Sequence, residues 1–221
     1  MLDPKTRYLQ IAFNYDIRMV AWLLPRIPRS SRILIEAGTP YIKREGMEGI
    51  RYIRRLWPGM IVADIKIADG ALGEVQMVRQ AGAAAVTVLG NAPKETLDLV
   101  IEECRNSNMV SMVDMIGVND PLDIIRHLLK PPDVIVLHLG RDEETTRGKL
   151  IQYRHVNRIR SKFPVMISAA GGLDEGSARS AIFNGANIVV ANVVQPGDKW
   201  AGISAAGDIA EMAKVFLETI E

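Results

Sequence analysis

The chain has a single cysteine, Cys104, so it can form no internal disulfide and offers no thiol-rich metal site. Its three histidines, His127, His138 and His155, lie apart without the spacing of a metal-ligand set. No apolar run reaches the length of a membrane span, and the opening MLDPKTRYLQ lacks the apolar stretch of a signal segment. Excess charge of either sign is missing too. A formal net charge of +1 gives no electrostatic argument for nucleic acid or an anionic membrane as partner. The basic run RYIRRLW fits the exposed face of a helix, where i, i+3, i+4 spacing gathers Arg51, Arg54 and Arg55. These absences make a cytoplasmic protein the expectation, with neither a membrane nor a nucleic acid as partner.

What is present is ordinary in total and regular in order. The 221 residues are 48% hydrophobic and 24% charged, enough to bury a large core without metals or cross-links. Eight short β-rich runs recur: YLQIAFN, RILIEAG, MIVADIKI, AAVTVLG, MVSMVDMI, DVIVLHLG, FPVMISAAG and NIVVANVV. Helix-patterned stretches separate them, among them YIKREGMEGIRYIRRLW, GALGEVQMVRQAG, PKETLDLVIEECRNS and EETTRGKLIQYRHVNRIRSK. The last segment closes with Ile209, Met212, Ala213, Phe216 and Leu217 on one helical face. Strand–helix alternation implies right-handed crossovers and a parallel sheet. Eight units predict an α/β fold, a (β/α)8 TIM barrel, formed as one domain over residues 1–221. A doubly wound open sheet also alternates, but the first strand–helix junction, AFNYDIRM, lacks a glycine-rich phosphate turn.

In such a barrel the reacting groups sit at the carboxyl ends of the strands. Those ends carry Asn14, Glu36, Asp64 with Lys66, Asp114, His138 with Arg141, Gly171 with Gly172, and Asn192. The run VADIKIADG at 62–70 is the densest of them. Asp64 and Lys66, two apart on a strand, share the inward face, while Ala63, Ile65 and Ile67 face the helices. The pair serves either as a buried ion pair or as chemistry, the lysine neutralising a developing anion. Asp69 falls past the strand, at the mouth or at a helix start. Glu36 and Asp64, from neighbouring strands, are suited to a hard divalent cation such as Mg²⁺. His138 reads as a core histidine or as a proton carrier aligned with the carboxylates.

The spacing Asp-x-Lys-x-x-Asp, at Asp64, Lys66 and Asp69, resembles the signature of the orotidine 5′-monophosphate decarboxylase suprafamily. Within it, IEAGTPYIKREGMEGIR resembles 3-hexulose-6-phosphate synthases. DPLDIIRHLLKPPDVIVLH resembles archaeal members of that group, including synthases fused to a formaldehyde-activating domain. KIADG is closer to the sister 3-keto-L-gulonate-6-phosphate decarboxylases. The resemblance implies that Glu36 and Asp64 hold Mg²⁺, which chelates a sugar-phosphate enediolate, and that Lys66 stabilises that enediolate. It implies that Asp69 reaches the neighbouring subunit's site in a homodimer, that His138 shuttles protons, and that Asp114 contacts substrate. Arg141 matches an arginine with which the decarboxylases assist protonation, and Gly171–Gly172 matches a phosphate-binding turn.

Two positions depart from the pattern: Asn14 stands where Asp is usual, and Ala191–Asn192 where Gly-Arg is usual, that arginine clasping the phosphate. Lys199 either substitutes for it or is an ordinary loop lysine. The leading expectation is an aldehyde-lyase that interconverts hexulose 6-phosphate with ribulose 5-phosphate and formaldehyde. A carboxy-lyase of the keto-gulonate phosphate type, or a non-catalytic sugar-phosphate-binding paralogue, stands beside it.

Overall fold

The structure is a computed structural model that describes residues 1–147 and 150–221. Its strands are β1 (Tyr8–Phe13), β2 (Ile33–Ala37), β3 (Ile61–Ile67), β4 (Ala85–Leu89), β5 (Val110–Asp114), β6 (Val134–His138), β7 (Met166–Ala170) and β8 (Ile188–Val194). They pair in parallel in sequence order, and β1 also pairs with β8, which closes the barrel. The expected (β/α)8 architecture is the observed one. A two-residue strand, β9 (Ile203–Ser204), adds to the outer part of β8.

Alternation along each strand makes two cores. Leu9, Ile11 and Phe13 of β1 face outward into the layer packed by the helices, while Tyr8 and Ala12 face the barrel interior. The same parity puts Val62 inside and Ala63 and Ile67 outside on β3. Because every strand runs the same way, all eight carboxyl ends share one rim, and the polar residues that end them converge there.

The helices are α1 (Ile17–Leu23), α2 (Thr39–Leu56), α3 (Ala71–Gln80), α4 (Lys94–Asn106), α5 (Pro121–Ile125), α6 (Arg141–Arg147), α7 (Val156–Arg160), α8 (Glu175–Phe183) and α9 (Ile209–Thr219). Helix α2 is kinked at Gly46, whose φ of 61° is a glycine conformation. The segment 143–162, read from its periodicity as one helical stretch, is instead divided among α6, a 3-10 turn at Tyr153–His155, and α7. Gly148 and Lys149 within it lie outside the described residues. Thr145 turns its hydroxyl back onto the Arg141 carbonyl at 2.8 Å, the kind of local bond that competes with helix continuation. Of the three arginines assigned to a solvated face, Arg51 and Arg55 are exposed. Arg54 is half-buried, its stem lying against Gly82 and its guanidinium bonded to the Trp57 carbonyl. No helix among the described residues is long and apolar enough to cross a membrane.

Candidate active site

The site begins with a defect in β3. Pairing with β4 runs Ala63 to Val86 and resumes at Ile67 with Val88, four steps on one strand against two on the other. The excess is a bulge, and Lys66 lies in it with a φ of 53°. A non-glycine residue in that region is sparsely populated and costs on the order of 1 kcal/mol or more. Surroundings hold it there. The Lys66 amide donates to Thr87 Oγ1 at 3.0 Å, and the Thr87 hydroxyl donates to Asp64 Oδ1 at 2.8 Å. Asp64 and Lys66 both line the central cavity, but a bulge rather than plain alternation sets their relation.

From Asp64 a chain of charges crosses the rim. Lys66 Nζ lies 3.0 Å from Asp64 Oδ1 and also bonds to Asp114 Oδ2. His138 Nδ1 in turn is 2.8 Å from Asp114 Oδ2. Asp114 is 1% exposed, and its Oδ1 accepts the Ile116 amide at 3.0 Å. Burial alone would raise its carboxyl, but His138 and then Lys66 outweigh that and bring it down to about 2. Burial likewise pulls Lys66 down, yet Asp64 and Asp114 hold it well above the ordinary lysine range. His138 is raised because Asp114 outweighs the cost of its burial. The two carboxylates thus favour the charged ammonium, which suits Lys66 to meet an anion rather than to act as a base. The imidazole, fixed at Nδ1, keeps Nε2 for exchange.

Glu36 ends β2 in the same cavity, where its Oε2 accepts from Gln10 Nε2. Burial first, then the charge of Asp64, pushes its carboxyl up to about 7. Glu36 and the neighbouring Asp64 charge that disfavours its ionisation both face the cavity, an arrangement that fits a cation placed between them. Among the described residues no group of three or more His, Cys, Asp or Glu forms a metal cage. That donor set suits Mg²⁺, which takes one or two carboxylates and completes its shell from water and substrate oxygens. Asp64 is also fixed by Thr39, whose hydroxyl is 2.9 Å from Oδ2.

The cavity, about 220 Å³, is lined by Asn14, Glu36, Asp64, Lys66, Asp114, His138, Arg141, Gly171 and Asn192 from the sequence reading. Gln10, Thr39 and Thr87 also line it. Those three escaped a reading confined to charged and terminal positions, although Gln10 shares the inward parity of Ala12. Asn14 Nδ2 donates to Asn192 Oδ1 at 2.9 Å, so the two asparagines that the sequence reading singled out bond to each other. Gly171 also needs its lack of a side chain, since an added Cβ would lie 2.5 Å from the Leu139 carbonyl oxygen. Gly172 lines an adjoining cavity instead, with the Glu144 carboxylate against it.

Asp69 and Lys199 are both exposed and absent from the cavity wall. Asp69 does not cap α3 either, whose N-cap is Gly70. Cys104 is buried, and burial pushes its thiol up to about 12, which leaves it inert at neutral pH.

The sequence and the fold have counterparts elsewhere. Residues 7–192 match the profile of the orotidine 5′-phosphate decarboxylase / HUMPS family. The chain belongs to that family. Among its relatives, the bifunctional enzyme Fae/Hps of Methanothrix thermoacetophila is 34% identical over 221 residues, 99% of this chain and 53% of that protein. Fae/Hps of Methanosarcina barkeri is 35% identical over 220 residues, again 99% of this chain and 53% of the relative. The chain thus spans about half the length of the curated relatives it matches. The crystal structure of 3-hexulose-6-phosphate synthase from Salmonella typhimurium superposes with a TM-score of 0.84 at 26% identity, covering 96% of this chain and 98% of that one. A 3-keto-L-gulonate-6-phosphate decarboxylase from Vibrio cholerae has a TM-score of 0.75 at 18% identity, with 98% of each chain covered, and shares the fold.

Proposed function

We propose that this family member is an aldehyde-lyase of the 3-hexulose-6-phosphate synthase kind, joining ribulose 5-phosphate to formaldehyde and reversing that step. The observation that carries the reading is the unbroken line Asp64–Lys66–Asp114–His138 on one cavity wall. His138 Nε2 takes a proton from C1 of the sugar. The negative charge then spreads over the neighbouring oxygens, where the Lys66 ammonium meets it. That carbon forms a bond to formaldehyde, and the resulting alkoxide recovers a proton from His138. Charge stabilisation by preformed groups in a partly enclosed cavity is usually the largest contribution to such a rate.

Glu36 and Asp64 would hold Mg²⁺, which when bound supplies Lewis-acid charge to substrate oxygens. Asp69, exposed and away from its own cavity, would complete the site of a second copy, so the working unit is a homodimer with shared sites in the cytoplasm.

A second reading, a β-keto acid phosphate decarboxylase, draws on Arg141, which lines the same cavity as His138. The test supplies ribulose 5-phosphate, formaldehyde and Mg²⁺ and follows formaldehyde consumption, beside CO₂ release from 3-keto-L-gulonate 6-phosphate. Formaldehyde consumption supports the synthase. CO₂ release alone favours the decarboxylase, and tight calorimetric binding with neither product favours a binding paralogue.

A further inference from the structure

A cavity of about 160 Å³ lies beside the central one and shares His138 and Leu139 with it. Its walls come from the loops after β5 and β6. The Met115 amide donates to the Val136 carbonyl at 2.9 Å, and the Val118 amide to the Met115 carbonyl at 3.0 Å, so the first loop is fastened to β6 and turns on itself. The Leu139 amide donates to the Ala170 carbonyl at 2.9 Å, which fixes the partition between the two cavities. The far side is held by His155, which is buried. Its Nε2 accepts from Arg154 Nε at 3.0 Å, and its Nδ1 lies 3.3 Å from Asp120 Oδ1, the oxygen that caps α5. These polar groups are committed to one another and tie the 3-10 turn at Tyr153–His155 to the loop after β5.

The two cavities differ in character. Most of the smaller lining is apolar, with Met115, Val118, Leu137, Leu139 and Ile151. Among the described residues its only lysine, arginine or carboxylate side chains are Arg154 and Glu143, which are of opposite sign. The central cavity carries Glu36, Asp64, Lys66, Asp114 and Arg141. Asp114, which holds His138 Nδ1, lines the central cavity and not the smaller one. A phosphorylated sugar whose developing charge is met by Lys66 has to lie in the central cavity. The second reactant must reach the same carbon, and His138 is the proton carrier that lines both cavities. A neutral one-carbon aldehyde needs no counter-charge and suits an apolar recess with few polar groups.

We propose that this side chamber binds the one-carbon aldehyde and presents it to the sugar carbon at His138. This rests on the synthase reading above and gives the second substrate a place apart from the charged cavity.

The test uses the full chain labelled with carbon-13 in its methionine methyl groups, because Met115 lines the side chamber and Met112 the central cavity. Met115→Leu and Met112→Leu assign the two signals. The probe is formamide, an unreactive, neutral one-carbon carbonyl compound. Formamide should shift the Met115 methyl saturably and leave Met112 in place, whereas ribulose 5-phosphate should move Met112. Val118→Phe narrows the chamber and should raise both the formamide Kd and the KM for formaldehyde about tenfold or more. Its Kd for ribulose 5-phosphate should match the wild type, which also shows that the variant is folded. Phe183→Ala, at the exposed end of α8, should change nothing. Formamide that moves Met112 rather than Met115, or neither methyl, would overturn the assignment, as would a wild-type KM for formaldehyde in folded Val118→Phe. Formamide bound at Met115 in a protein without turnover would instead refute only the synthase reading.

Discussion

Asn14 and Asn192 hold each other across the seam where β1 closes onto β8, Nδ2 to Oδ1 at 2.9 Å. Both line the cavity, and the pair is neutral. Asn192→Ala strands the Asn14 amide in a half-buried position. Thermal unfolding should show a loss of about 1 kcal/mol. Asn14→Ala should lose a similar amount, and the double variant should cost less than the sum, since both remove one bond.

Lys66→Ala should reduce turnover by about a thousandfold or more, because the positive charge next to the developing anion disappears. It also leaves Asp64 and Asp114 facing each other without a cation between them. We expect a stability loss of about 3 kcal/mol, at the lower end of the cost of breaking a buried pair. Denaturant titration separates the two effects, and retained turnover in a folded variant would discard the mechanism.

The Asp114–His138 contact fixes a pH window. The depressed Asp114 carboxyl contributes stability present above its unfolded value of 3.8 and lost as pH falls toward about 2. The raised His138 contributes stability fully present below 6.5 and lost as pH climbs through its folded pKa. Melting temperature should therefore plateau between about pH 4 and 6.5 as far as this pair is concerned. Asp114→Asn should flatten the acid limb and lower the imidazole titration of His138 followed by NMR.

Chelation should abolish turnover, and restoring Mg²⁺ should recover it. Glu36→Gln should weaken calorimetric Mg²⁺ binding by about tenfold or more, because one of two anionic oxygen donors is lost. Mg²⁺ binding unchanged in that variant would exclude Glu36 as a ligand.

Asp69→Asn and Lys66→Ala, each inactive alone, should complement when mixed after partial denaturation and refolding. Half of the resulting dimers are mixed and each mixed dimer has one intact site, so about a quarter of wild-type activity should return. No recovery would place Asp69 within its own subunit's chemistry or outside chemistry altogether.

The barrel was legible because its eight strands are short apolar runs, most of them ending in a polar residue, and strand polarity alone carries those ends to one rim. Glu36, Asp64, Lys66, Asp114 and His138 could therefore be gathered without coordinates. Gln10, Thr39 and Thr87 could not, since an uncharged side chain inside a strand or turn carries no signal until its partner is known. Nor could the division of segment 143–162 among two short helices and a 3-10 turn, which its helical periodicity does not show.

What the sequence by itself determined is the order of strands, the inward face of each, and the set of charged groups delivered to the rim. These follow from periods of 2 and 3.6 residues and from the chain's direction. Tertiary structure alone decided that Lys66 sits in a left-handed bulge, that Asn14 meets Asn192, and that Asp198 takes the Tyr15 hydroxyl while Arg141 stacks on Trp200. Each of these depends on register or on contact between distant loops. Such relations arise from barrel closure, which no local pattern encodes.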